Sequence, residues 1–166
     1  MRLALTDLLK AHWSDQIHDE WINALLRQGK HSIELLQRTR TLMDKHVRDA
    51  KVTGYEGLIN GLHLPDPNDR HVLAAAIKAN ADAIVTFNFK DFPTDYLQQF
   101  GIEIVHPDDF IHYQIDMAPA VCCEAFKRQR AALRNPVIDV ETFLATLQKQ
   151  QLPQTVSALK KFSHFL

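Results

Sequence analysis

Apolar residues in the first fifty positions recur at helical spacing. Met1, Leu5, Leu8 and Leu9 share a face of MRLALTDLLKAHW. Ile17, Trp21, Ala24 and Leu25 do the same in SDQIHDEWINALLRQ, with Ser14 or Asp15 at the cap. SIELLQRTRTLMDKHV repeats the period through Leu35, Leu36, Leu42, Met43 and Val47. A short strand over 49–53, closed by Gly54, and a glycine-punctuated stretch over 55–63 follow. A helix over about 68–80 then leads into the strand AIVTF at 83–87, a short helix at 94–100 and the strand GIEIV at 101–105. Strands alternating with helices predict a three-layer α/β domain with a parallel sheet.

From Pro107 the pattern changes. MAPAVCCEAFKRQRAALRN, DVETFLATLQKQ and PQTVSALKKF predict three helices separated by prolines, the middle one striped by Val140, Phe143, Leu144 and Leu147. The expected division is a domain over 1–110 and a helical extension over 111–166.

Composition narrows the class. With 166 residues, 46% hydrophobic and 23% charged, the chain is long enough and apolar enough for a proper core. A formal net charge of −1 forces neither a nucleic-acid nor a membrane partner. The adjacent Cys122 and Cys123 are poorly placed to pair with each other and offer no zinc spacing, so idle thiols in a reducing cytoplasm are expected. No secretory signal and no run of about 20 apolar residues is present, which predicts a cytoplasmic protein. Five glycines, with no GxGxxG, Walker A or GxSxG motif, argue against dinucleotide, P-loop and serine-hydrolase chemistry. The nine histidines lack zinc spacing and read as solvated or core-satisfied; Lys127, Arg128, Arg130 and Arg134 read as a solvated helix face.

The acids carry more. In LPDPNDRHVLAAAIKANADAIVTFNFKDFP, Asp66 precedes Pro67 and reads as a helix N-cap. Asp69 falls on the inward side of that helix, three and four residues before Val72 and Leu73, where an unpaired carboxylate is expensive. Asn88 and Asp91 follow the strand, at the end where open α/β sheets bind ligands, although both residue types also serve ordinary turns. Glu20 borders the core face of its own helix, where a rim residue is the plain alternative. Together, such oxygen donors suit Mg²⁺ or Mn²⁺ rather than zinc. Arg70 and Lys90 flank them and could hold a backbone phosphate.

PDPNDRHVLAAAIKANADAIVTFNFKDFP, with WSDQIHDEW upstream, resembles PIN-domain proteins, metal-dependent ribonucleases common as toxins of bacterial VapBC-type toxin–antitoxin pairs. The resemblance spans about 1–110, and the tail looks like the extension of one PIN subfamily. It implies a PIN-like three-layer α/β fold with a parallel sheet and a C-terminal helical extension. It also implies Mg²⁺- or Mn²⁺-dependent endoribonuclease activity, an RNA substrate, a cognate antitoxin protein and a homodimer. Glu20 matches the family's helix glutamate and Asp69 its central aspartate. The fourth acidic position falls at Asn88, where many members carry aspartate, and Asp91 lies three residues on. The implied catalytic set is Glu20, Asp69 and Asp91, with Asn88 joining them around the ion. PIN domains open on a strand bearing a first catalytic aspartate, whereas this chain opens in the helix expected after it. Asp7 does not match that motif, so the domain is expected to be incomplete at its start. A non-catalytic PIN-like module binding RNA or protein is the alternative. A receiver-like phosphoacceptor would need an aspartate pair and a lysine in strand order, which the sequence does not show.

Overall fold

The computed structural model describes residues 2–6, 8–29, 31–134 and 136–166, the side chain of Arg2 excepted. Met1 and Asp7, both weighed in the sequence, lie outside the described residues. The chain forms two compact units, Lys10–Ile104 and Met1–Leu9 with Val105–Leu166.

In the first unit, helix α1 (Asp15–Arg27) starts at Ser14, one of the two cap positions expected, and α2 (Ile33–His46) starts at Ser32. The Ser14 and Ser32 hydroxyls accept from the backbone N–H groups of Ile17 (3.2 Å) and Leu35 (3.3 Å). Each satisfies one of the donors that a helix start leaves without a partner, worth about 1 kcal/mol. Beneath them the fully buried His18 has both ring nitrogens engaged. Its Nε2 lies 2.9 Å from Asp44, and its Nδ1 accepts from the Trp21 indole at 3.0 Å. Trp13 donates to the same Asp44 oxygen at 2.7 Å. This is the core-satisfied histidine expected of the class.

A short α3 (Glu56–Ile59) and a 3-10 turn (Pro67–Asp69) lead into α4 (Arg70–Ala79). Asn80, in the left-handed conformation at φ 51°, stops α4 and turns the chain back as β1 (Ala83–Val85). Beyond β1, α5 (Thr94–Leu97) and a 3-10 turn (Gln98–Phe100) reach Gly101 at φ +70°. β2 (Glu103–Val105) follows and pairs in parallel with β1. Leu73, Ala74 and Leu97 are fully buried in the core, with Ile84, Phe92 and Ile102 around them. The α/β character and the parallel sheet thus agree with the sequence reading.

Two local expectations need correction. The helix expected through Trp13 is only a 3-10 turn, Arg2–Leu5. Trp13 itself is bridged in parallel to Lys51, donating to Ala50 O and accepting from Val52 N, each at 2.8 Å. That extended pairing is incompatible with a helix running through Trp13. The same bridge is all that forms of the strand expected over 49–53, among the described residues.

In the second unit, α6 (Pro107–Met117), α7 (Pro119–Ala131), α8 (Val140–Lys149) and α9 (Pro153–Lys160) follow one another. Proline at the first position of α6, α7 and α9 sets φ without losing a needed donor. The stripe residues Phe143, Leu144 and Leu147 are buried in this unit's own core, with Ile115, Val156 and Leu159. α6 is an additional helix that the three-helix reading missed. Cys122 and Cys123 are buried free thiols. Burial, then the neighbouring Cys123, pushes the Cys122 thiol up to about 11, which suits an inert residue. Among the described residues no helix is long and apolar enough to cross a membrane.

Candidate functional site

α4 spans about 15 Å, and the chain leaving it in extended form regains that length within about five residues. The turn at Asn80 therefore returns the residues beyond β1 to the end at which α4 begins. Asp66, Asp69 and Asp91 meet there: one carboxylate oxygen from each lies within 4.8 Å of the others. Each is half-buried.

Local chemistry places them. Asp66 Oδ1 accepts from Asn68 N at 2.8 Å, which fixes the entry to the helix. Asp69, three residues on and so on the same side of the turn, makes no such cap bond. In the loop after β1, the Thr86 hydroxyl accepts from Asn88 N at 3.0 Å. The Asn88 amide in turn donates to Asp91 Oδ2 at 2.6 Å. Asn88 therefore orients Asp91 and adds no charge.

Glu20, on α1, stands beside this group but outside it. Its Oε1 lies 2.6 Å from Nε2 of the buried His71. Burial first, then the charges of Asp66, Asp91 and Glu20, raise the Asp69 carboxyl above its ordinary value; His71 opposes them. Glu20 thus acts on Asp69 electrostatically although the two are 49 positions apart. Arg70 is half-buried, its Nε buried without a hydrogen-bond partner, and Lys90 is exposed. Among the described residues no ion pair joins either to the acids.

The donor set fits a small hard cation. Three oxygens converge, burial and the neighbouring carboxylates raise Asp69, and among the described residues no lysine or arginine is ion-paired to them. Sequence reasoning assigned Asp66 to capping and left His71 among histidines read as solvated or core-satisfied. The three-residue spacing of Asp66 and Asp69 was the available signal for the first; nothing in the sequence signalled the second.

Comparison with known proteins identifies the family. Residues 107–161 match the model described as the VapC50 C-terminal domain. Over 64 residues the chain is 47% identical to a Mycobacterium tuberculosis protein named "Putative ribonuclease VapC50". That match covers 39% of this chain and 37% of the relative, so the matched stretch takes in little more than a third of the curated protein's length. No solved structure matches the chain. Residues 1–90, more than half of the 166, match the model described as the PIN domain, and the chain belongs to the PIN-domain family.

Proposed function

We propose that this protein is a PIN-type endoribonuclease dependent on Mg²⁺ or Mn²⁺, acting as the toxin of a toxin–antitoxin pair in the cytoplasm. The observation that carries the reading is the convergence of Asp66, Asp69 and Asp91 beyond the end of β1. The family and the likeness to a protein named as a ribonuclease give that convergence its chemical meaning.

In this reading Asp69 and Asp91 bind the ion together with Asp66, and Asn88 keeps Asp91 in place. Glu20 contributes its charge from the side. When bound, the divalent ion supplies water activation and charge neutralisation at a phosphodiester. Arg70 and Lys90 hold the RNA backbone, positioning the strand without reading its sequence. The partners are an RNA substrate, an antitoxin protein and a second copy of the chain.

The test is RNA cleavage by the purified chain in Mg²⁺, in Mn²⁺ and in EDTA, with Asp69→Asn and Asp91→Asn alongside. Cleavage that needs the ion and falls at least about 100-fold in both variants is expected. RNA binding without ion-dependent cleavage would instead favour a non-catalytic module.

A further inference from the structure

His71 reaches from the first turn of α4 to α1, and only 2% of it is exposed. A carboxylate accepts hydrogen bonds and donates none, so the 2.6 Å contact places a hydrogen on Nε2, pointing at Glu20 Oε1. Nδ1 is buried and has no hydrogen-bond partner. His18 differs: both its nitrogens are engaged, by Asp44 and by Trp21. Glu20 is the exposed party, with 48% of its side chain accessible. An exposed glutamate samples several rotamers unless something holds it. Here the holder is a buried ring in the first turn of α4, two residues after Asp69, which ends the 3-10 turn that leads into that helix.

The position of Glu20 is the second observation. It acts on the charge of Asp69, yet its oxygens stand outside the set of three that converge within 4.8 Å. Oε1 is tied to the imidazole, which leaves Oε2 for the acidic group. We propose that His71 is a positioning residue, holding Glu20 through Oε1 so that Oε2 serves a cation at Asp66, Asp69 and Asp91 through a water. This rests on the metal-site reading above. It makes Glu20 an outer carboxylate rather than a fourth direct ligand, and makes the start of α4 the source of both a ligand and the residue that orients its neighbour.

A simple clamp between α1 and α4 would also use this contact, so the test reads the cation rather than stability alone. Mn²⁺ affinity is measured by calorimetry on the whole chain, at a temperature where circular dichroism shows each variant folded. His71→Leu is expected to weaken binding about tenfold or more, within the range for lost orienting partners of metal ligands. His71→Gln, which carries an N–H near the Nε2 position, recovers most of the affinity. His71→Asn, whose N–H sits nearer Nδ1, does not, and this polar pair decides the matter should the leucine variant fail to fold. In a Glu20→Ala background none of these changes has a further effect. Wild-type affinity in His71→Leu, equal affinities in the Gln and Asn variants, or an unchanged loss in the Glu20→Ala background would each overturn the proposal while leaving the metal site standing. A wild-type chain that binds no Mn²⁺ would overturn both.

Discussion

Asp69 and Asp108 occupy the same sequence setting with opposite results. Each follows a proline that opens a helical segment, in PDPNDR and in HPDDF, and each lies in its first turn. Asp108, in the second unit, is 1% exposed and fully employed. Its two oxygens accept from the backbone N–H groups of Gln154 and Thr155, each at 2.8 Å. It thereby caps α9, whose own N-cap, Leu152, has no side-chain oxygen to offer. Burial pushes the Asp108 carboxyl up, but the donors of Thr155 and Gln154 outweigh it and hold the carboxyl below its ordinary value. Asp69, in the first unit, has acids for neighbours instead, and burial first, then those charges, raises its carboxyl. Burial therefore does not distinguish a structural carboxylate from one proposed as a metal ligand; the identity of the neighbours does.

Removing each carboxylate should widen that contrast. Asp108→Ala leaves two buried backbone donors without partners and is expected to cost about 2–4 kcal/mol in urea unfolding. Asp69→Ala should move the same midpoint by less than about 1 kcal/mol. Equal losses would mean that Asp69 also has a structural load.

A satisfied network within the first unit supplies the next comparison. Asp44→Ala removes the acceptor shared by Trp13 and His18 and is expected to cost about 1–3 kcal/mol, with no effect on Mn²⁺ affinity. Asn88→Ala reverses the pattern: unfolding stays near wild type, while Mn²⁺ affinity falls about tenfold because Asp91 loses its orienting donor.

The acid limb of the stability curve gives the smallest effect and fixes a sign. The fold disfavours ionised Asp69, so its penalty is present above the raised pKa and disappears as pH falls below the ordinary 3.8. Asp69→Asn should thus be slightly more stable than wild type at pH 7, by less than about 1 kcal/mol, and equal to it in acid. Asp108 behaves in reverse. Its contribution is present above 3.8 and is lost as pH falls through its depressed pKa. Asp108→Asn should therefore be less stable than wild type at pH 7, and the deficit should shrink toward the acid end, measured as midpoint against pH.

Much of the fold was legible because local signals agreed. Ser14 and Asp66 mark helix starts that the structure reproduces, and the apolar period of α4 is clear around Leu73 and Ala76. The 3-10 turn at Arg2–Leu5 was not legible, because the parallel bridge between Trp13 and Lys51 is a long-range pairing that overrides a short apolar period. α6 was missed although His106, Pro107 and Asp108 form a usable start signal, because Phe110, Ile111 and Ile115 make only a sparse stripe. At the site, Asp69 and Asp91 could be nominated from face and strand end. That Asp66 joins them, and that Glu20 is tied to His71 instead, depends on how the turn at Asn80 and the packing of α1 on α4 bring distant residues together. The spacing of Asp66 and Asp69 hinted at the first; the tie of Glu20 to His71 belongs to tertiary structure, and no spacing in the chain encodes it.

The most direct test of the contrast between Asp69 and Asp108 is a calorimetric titration of Mn²⁺ into the wild-type chain, Asp69→Asn and Asp108→Asn, each confirmed folded. The account predicts saturable binding to wild type, its loss in Asp69→Asn and its retention in the less stable Asp108→Asn. Equal Mn²⁺ binding by wild type and Asp69→Asn would contradict it.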